Sequence, residues 1–235
     1  MLDFVGPDVD KRRPMGIQVK ICGIAGIEAA DAALKAGADF AGLVFHPKSP
    51  RYLRAEQASA LAARLRGHIR LVALVADAGD EEIAAAIAAA KPDFLQLHGQ
   101  ESPARVASVR ARFSVAVIKA LAVAEAQDFA GVSAYEDVAD MLLFDAKAPQ
   151  AATRPGGHGA AFDWQLLRGR KFSKAWLLAG GLAPDNVARA IRMTEAPGVD
   201  VSSGVETAPG VKSADAIRAF VTAARMAQFA TETQA

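Results

Sequence analysis

Cys22, the single cysteine of the chain, ends a short apolar run at 17–22, and Lys20 stands two residues before it. On a strand, side chains at i and i+2 share a face, so Lys20 lies on the face of Cys22, about 6.6 Å earlier along the strand. A thiol acts as a base only as its thiolate, and an unperturbed cysteine titrates at about 8.5; a neighbouring ammonium favours the charged form. Taken alone, Cys22 also reads as a small buried thiol, and Lys20 as half of an ion pair with an inward carboxylate. Asp145 closes the apolar run Met141-Leu142-Leu143-Phe144. Aspartate is rarely buried unpaired, so packing explains it poorly. A carboxyl in a partly dry pocket keeps its proton near neutrality and serves as a general acid. A cap or turn role is the competing reading. Thiolate base and carboxylic acid together suit proton shuffling.

Other residues suit binding. Arg51 lies in Lys48-Ser49-Pro50-Arg51-Tyr52, with Pro47 and Pro50 stiffening the loop. A guanidinium holds a carboxylate through two parallel hydrogen bonds, although a solvated surface cation is as ordinary a role. Gly180-Gly181 permits close backbone approach to a ligand, and Ser202-Ser203-Gly204 opens a loop that reads as the start of a short extra helix, a setting for a phosphate. Turn chemistry alone accounts for either motif. Gln96 and His98 share a strand face, where a ligand contact or a satisfied structural role both fit. The long segment 147–161 carries Arg154, Gly156, Gly157, His158 and Gly159, and reads as a lid.

These residues need a frame that brings them together. Strand-like runs at 17–22, 40–45, 69–75, 94–97, 115–120, 141–145, 176–179 and 199–201 alternate with helical stretches at 26–36, 54–66, 80–90, 102–112, 124–131, 163–168, 184–192 and 213–228. Runs such as Leu71-Val72-Ala73-Leu74-Val75 are continuous, as in strands buried on both faces of a parallel sheet. Asp80-Glu81-Glu82 marks a helix start, Pro184-Asp185 a first-turn proline, and Gly37 a helix stop. Eight strand–helix units predict a single (β/α)8 barrel, class α/β, with a parallel eight-stranded core; an open doubly wound sheet is the rival. In a barrel the C-terminal strand ends form the active face, and Cys22, Arg51, His98, Asp145, Gly180, Gly181, Ser203 and Gly204 end or follow strands. The chain divides into an N-terminal extension at 1–16, expected to be loose and leaving Met15 as an alternative start, a barrel domain at 17–228 and a tail at 229–235.

The chain has 235 residues, 52% hydrophobic and 23% charged, which suffices for a core and is too apolar for disorder. With 27 basic and 26 acidic residues, the net charge of +1 speaks against a nucleic-acid or membrane partner held by bulk attraction. One cysteine forms no intramolecular disulfide and no cysteine metal cluster, and it suits a reducing cytoplasm. No secretion signal and no membrane span are read in the chain.

The motifs also resemble a known family. VKICG at 19–23, GLVFHPKSPRY at 42–52, QLHG at 96–99, FDAK at 144–147, GGHGAAFDW at 156–164, AGGL at 179–182 and VDVSSGVE at 199–206 lie in order over nearly the whole chain. In them the chain resembles the phosphoribosylanthranilate isomerases of tryptophan biosynthesis. The resemblance implies a cytoplasmic (β/α)8 enzyme, monomeric or a homodimer, that needs no metal or organic cofactor and converts a phosphorylated aminoaldose into a ketose. It implies Cys22 as general base, Asp145 as general acid, Arg51 on the anthranilate carboxylate, and Gly180, Gly181, Ser203 and Gly204 on the phosphate; Lys20, Gln96 and His98 are further candidates for substrate contact. An isomerase running the same rearrangement on a substrate with phosphates at both ends, and a barrel that only binds a phosphorylated metabolite, are the alternatives.

Overall fold

A computed structural model of the chain describes residues 16–147 and 162–232, with side chains as far as Ala227. Eight strands, β1 (Gln18–Cys22), β2 (Phe40–Val44), β3 (Arg70–Val75), β4 (Phe94–Leu97), β5 (Ala116–Val123), β6 (Met141–Ala146), β7 (Ala175–Leu178) and β8 (Gly198–Val201), close into a barrel in chain order. Every neighbouring pair is parallel, including the closing pair β1–β8.

Period-two alternation sorts the side chains. Val19, Ile21, Leu142 and Phe144 point outward and join the shell beneath the helices. Phe40, Val72, Phe94, Ile118, Met141, Leu143 and Leu177 point inward and fill the barrel, with the rings of Phe40 and Phe94 edge-on at 5.8 Å. Cys22, Val44 and Leu74 form a separate inward cluster nearer the C-terminal strand ends. The barrel is therefore packed below and open to chemistry above.

The helices are α1 (Ile27–Ala36), α2 (Ala55–Leu65), α3 (Asp80–Ala90), α4 (Pro103–Phe113), α5 (Val132–Glu136), α6 (Val187–Thr194) and α7 (Ala214–Glu232). Gly37, at φ 75°, ends α1, and three acids open α3 at the positive end of its dipole.

Several sequence expectations need correction. The fifth and sixth stretches are not regular helices: 126–129 is a 3-10 turn followed by the five-residue α5, and Trp164–Leu167 is a single 3-10 turn. Bulky rings occupy that sector instead. Phe129, Phe144, Phe172 and Trp176 stack with centroids 4.6–6.4 Å apart. Pro184 lies in a turn before α6, not in its first turn. There Asn186 accepts from the amide of Ala183 at 2.8 Å and donates to the carbonyl of Gly181 at 2.9 Å, the amides of Asn186 and Val187 both reach the Ala183 carbonyl, and the regular helix begins at Val187. After β8 comes a 3-10 turn, Ser203–Val205, and then an antiparallel hairpin of β9 (Glu206–Ala208) and β10 (Val211–Lys212), in place of an extra helix. The last helix runs to Glu232, past the expected boundary at 228. The extension at 1–15 and the lid residues Arg154, Gly156, Gly157, His158 and Gly159 lie outside the described residues. Among the described residues no helix is long and apolar enough to cross a membrane.

Candidate active site

Inward parity selects the site: Lys20 and Cys22 on β1, Gln96 and then His98 at the end of β4, Asp145 on β6 and Asp200 on β8 all share the phase of the core-filling residues. Strand register sets Lys20 directly opposite Asp200, and the ammonium reaches its carboxylate at 2.9 Å. Lys20 is fully buried, and the Cys22 thiol lies close enough to interact with its charge. Burial alone would lower the titration of Lys20, but Asp200 and Cys22 outweigh it and hold the ammonium above its ordinary value. For Cys22 burial wins: it pushes the thiol up and Asp200 adds to this, while Lys20 and Lys212 pull the other way. Of the two sequence readings of Lys20, the ion pair with an inward carboxylate is the one the geometry shows, and burial makes the resting sulfur hold its proton more tightly than a free cysteine. Replacing Lys20 by methionine is expected to cost about 3–5 kcal/mol of stability, because Asp200 would be left buried and unpaired. Urea unfolding measures this, and a Lys20→Met/Asp200→Leu double variant should recover much of the loss.

Arg51 is buried, at 4% exposure, which overturns the surface-cation reading. Its Nε and Nη2 donate to Glu206 Oε1 and Oε2 at 2.6 and 2.7 Å. Gly23, at φ 77°, makes this possible, since a Cβ there would strike the Arg51 side chain. The side-on pairing leaves the Nη1 end of the fork for another carboxylate. Lys212 Nζ donates to Glu206 Oε1 at 2.7 Å and to the Ser202 carbonyl at 2.9 Å, and Ser202 Oγ donates to the Cys22 carbonyl at 3.2 Å. Burial disfavours the Glu206 carboxylate, but Arg51 and Lys212 outweigh it and hold Glu206 below its ordinary range. Burial lowers Lys212. Glu206 and Lys212 were not singled out from sequence. Glu206 ends the VDVSSGVE run, which was a usable signal; Lys212 sits in a hairpin that no local pattern announced.

Across the mouth, Asp145 Oδ1 accepts the amide of Ala146 at 2.8 Å, and His98 Nε2 lies 3.3 Å from Asp145 Oδ2. Gln96 Nε2 lies 2.7 Å from His98 Nδ1, whereas Gln96 Oε1 is buried and has no partner among the described residues. Lys119, itself buried, reaches Glu101 at 2.6 Å, and Glu101 also accepts the amides of Asp77 and Gly99 at 2.8 and 3.0 Å. That knot pins the loop following His98.

The loops after β7 and β8 meet: Gly204 stands so close to the Leu182 carbonyl that no side chain fits. Gly180 and Gly181 have φ of 79° and 67°, a left-handed backbone that glycine adopts freely. Among the described residues their amides donate to no protein acceptor. Ser203 and Gly204 lie in the adjoining 3-10 turn. The structure thus gathers Lys20, Cys22 and Asp200 in one cluster, Arg51, Glu206 and Lys212 beside it, and Gln96, His98 and Asp145 in another. Cys22 and Asp145 stand on β1 and β6, three strands apart around the closed barrel, both in the inward phase.

A closed (β/α)8 barrel whose C-terminal face carries a thiol, a carboxyl and two glycine-lined loops belongs to the class of barrel enzymes that work at that face. A family model described as N-(5'phosphoribosyl)anthranilate (PRA) isomerase matches residues 19–223. An N-(5'-phosphoribosyl)anthranilate isomerase of Rhodopseudomonas palustris (strain BisA53) is 53% identical over 211 residues, covering 90% of this chain and 97% of that one. The crystal structure of phosphoribosyl anthranilate isomerase from Thermotoga maritima superposes with a TM-score of 0.79 at 34% identity, covering 89% of this chain and 99% of that one. A phosphoribosyl anthranilate isomerase solved with reduced 1-(o-carboxyphenylamino)-1-deoxyribulose 5-phosphate gives a TM-score of 0.76 at 33% identity, covering 89% and 99%. The Thermotoga maritima protein is described as dimeric. The chain belongs to the N-(5'-phosphoribosyl)anthranilate isomerase family.

Proposed function

We propose that this barrel converts N-(5-phosphoribosyl)anthranilate into 1-(2-carboxyphenylamino)-1-deoxyribulose 5-phosphate in L-tryptophan biosynthesis, with Cys22 as general base and Asp145 as general acid. The observation that carries the reading is the inward placement of Cys22 and Asp145 at the C-terminal ends of β1 and β6 in a member of this family. Asp145 protonates the furanose ring oxygen as the ring opens to a Schiff base. The Cys22 thiolate then takes the proton from C2′, giving an enolamine that tautomerises to the ketone. The substrate's own nitrogen is the electron sink, so these steps call on no cofactor.

The two clusters divide the substrate. The amides of Gly180 and Gly181, with Ser203 and Gly204, take the phosphate, which meets main-chain donors at the β7 and β8 loops. The free end of Arg51 takes the anthranilate carboxylate, and Glu206 fixes the plane of the fork. With Lys20, Arg51, Lys212, Asp200 and Glu206 all ionised, three positive charges stand against two negative ones beside the thiol. The surplus favours an anionic group there. The enzyme is read as cytoplasmic, acting alone or as a homodimer on a small phosphorylated substrate rather than on nucleic acid or a membrane.

The direct test is a steady-state assay with freshly made phosphoribosylanthranilate, following loss of anthranilate-type fluorescence. Absence of turnover with binding intact would reduce the chain to a metabolite-binding barrel. Arg51→Ala is expected to weaken binding of the product analogue by about 1.5–3 kcal/mol, the scale of a hydrogen bond to a charged group. Calorimetry reads this directly, and unchanged affinity would place the carboxylate elsewhere.

A further inference from the structure

Between Gln96 and Asp145 lies a feature that the acid–base reading does not use. Gln96 is fully buried inside the barrel, its Nε2 2.7 Å from His98 Nδ1, and its Oε1 is enclosed without a partner. His98 Nε2 faces Asp145 Oδ2 at 3.3 Å, while Asp145 Oδ1 takes the amide of Ala146 at 2.8 Å. We propose that Gln96 and His98 form a relay that loads Asp145 with its proton, the side-chain amide of Gln96 selecting the imidazole tautomer. The proposal rests on the reading of Asp145 as the general acid.

The two amide orientations prescribe two different protonation patterns. With Nε2 of Gln96 donating, His98 Nδ1 must be the bare acceptor, so the ring proton sits on Nε2 and points at Asp145. The carboxyl then receives two N–H donors and is an ionised acceptor with nothing to give. Turn the amide by half a revolution and Oε1 faces Nδ1, which must now carry a hydrogen. In the loaded form one further proton has been taken up from solvent. It resides either on His98, as imidazolium beside carboxylate, or on Asp145, as carboxylic acid donating to a bare Nε2. Those two forms differ by transfer of one proton along a single hydrogen bond, and the second is the form that protonates a ring oxygen.

Either orientation leaves one end of the Gln96 amide unpaired, so that cost cancels between them and the proton on the ring decides. After Asp145 donates, it is ionised; the neutral ring exchanges its Nδ1 hydrogen with solvent for one on Nε2 as the amide turns back, which restores the unloaded form. Uptake of one proton from solvent at Nδ1, with the amide turned again, resets the loaded form, the Nε2 hydrogen passing to Asp145. The surroundings carry both signs of charge. His46, on the loop after β2, lies near His98; Asp77, on the loop after β3, accepts the amide of Gln100; Glu101 and Lys119 hold the residue that follows His98, and Asp145 stands on β6.

The test combines tautomer assignment with kinetics. Long-range proton–nitrogen spectra of protein with 15N-labelled histidine should show His98 as the Nε2–H tautomer in the neutral, unloaded state. Gln96→Met should abolish that preference. In His98→Asn, kcat should fall about 10- to 100-fold, the usual scale for losing a partner that orients a reacting group, with KM changed less than twofold. The alkaline limb of the kcat–pH profile should move, because the acid then loses the imidazole that exchanges a proton with it. A role confined to packing would lower stability without moving that limb. His98 found as the Nδ1–H tautomer in the unloaded state, or a limb that stays in place in His98→Asn, overturns the relay. If His98→Asn is unaltered while Asp145→Asn is inactive, the relay fails and the acid assignment stands. If Asp145→Asn is fully active, both fail together, whatever tautomer the spectra give.

Discussion

Cys22→Ser is expected to lower kcat by about 10²–10⁴-fold, the range general acid–base groups supply, while the product analogue still binds. A serine hydroxyl differs from the thiol by one atom, and the pocket that holds it is set by Val44 and Leu74 and by Gly42, where any side chain would press on the sulfur. The fold should therefore tolerate the change, and the loss should be chemical. A hydroxyl in that place is a far poorer base than a thiol whose proton the Lys20 ammonium helps to release. In the wild-type enzyme burial raises the Cys22 titration above its ordinary value. Below that value the sulfur is protonated, and the thiolate fraction grows as pH rises through it. Hence, over the pH range in which Asp145 keeps its proton, kcat/KM should climb with pH as the thiolate fraction grows. Cys22→Ser should flatten that ascending limb. Near-native turnover in the serine variant, or a limb that survives it, would take the sulfur out of the reaction.

How much of this was legible follows from the range of each interaction. Cys22, Lys20, Gln96, His98 and Asp145 could be found because a strand's period of two is written locally. Asp145 closes an apolar run and so is explained poorly by packing. The barrel followed from alternation of buried strands with helices, a pattern summed over the whole chain. Glu206 and Lys212 were missed because their importance comes from partners far away: Glu206 meets Arg51 across 155 residues of sequence. Nothing near Arg51 tells whether it faces solvent or a carboxylate. The irregular fifth and sixth units failed for a related reason. Their sequences carry helix-compatible residues, but Phe129, Phe144, Phe172 and Trp176, drawn from separate segments, fill the space against the barrel that a full helix would take. Local propensity yields where tertiary packing offers a better use for the same chain. The balance on Cys22 likewise depended on burial and Asp200, which sequence spacing to Lys20 does not report.

Asp145→Asn should also cost about 10²–10⁴-fold in kcat, since an amide donates a hydrogen bond but releases no proton at the ring oxygen. The substitution is nearly isosteric, and the side-chain oxygen still accepts the Ala146 amide, so the end of β6 should keep its shape. Binding of the product analogue should stay within about twofold, because none of the groups assigned to phosphate or carboxylate is touched. The two catalytic variants are distinguishable. Cys22→Ser removes the ascending limb of the pH profile, whereas Asp145→Asn removes the dependence on a protonated acid and so the descending one. The double variant should lose little more than the worse single one, because ring opening and proton abstraction act in sequence on the same substrate and either failure stalls it. If Asp145→Asn turned over normally with an unshifted descending limb, the proton would have to come from another donor at the mouth. His98, 3.3 Å from the Asp145 carboxyl, would then be the next group to examine.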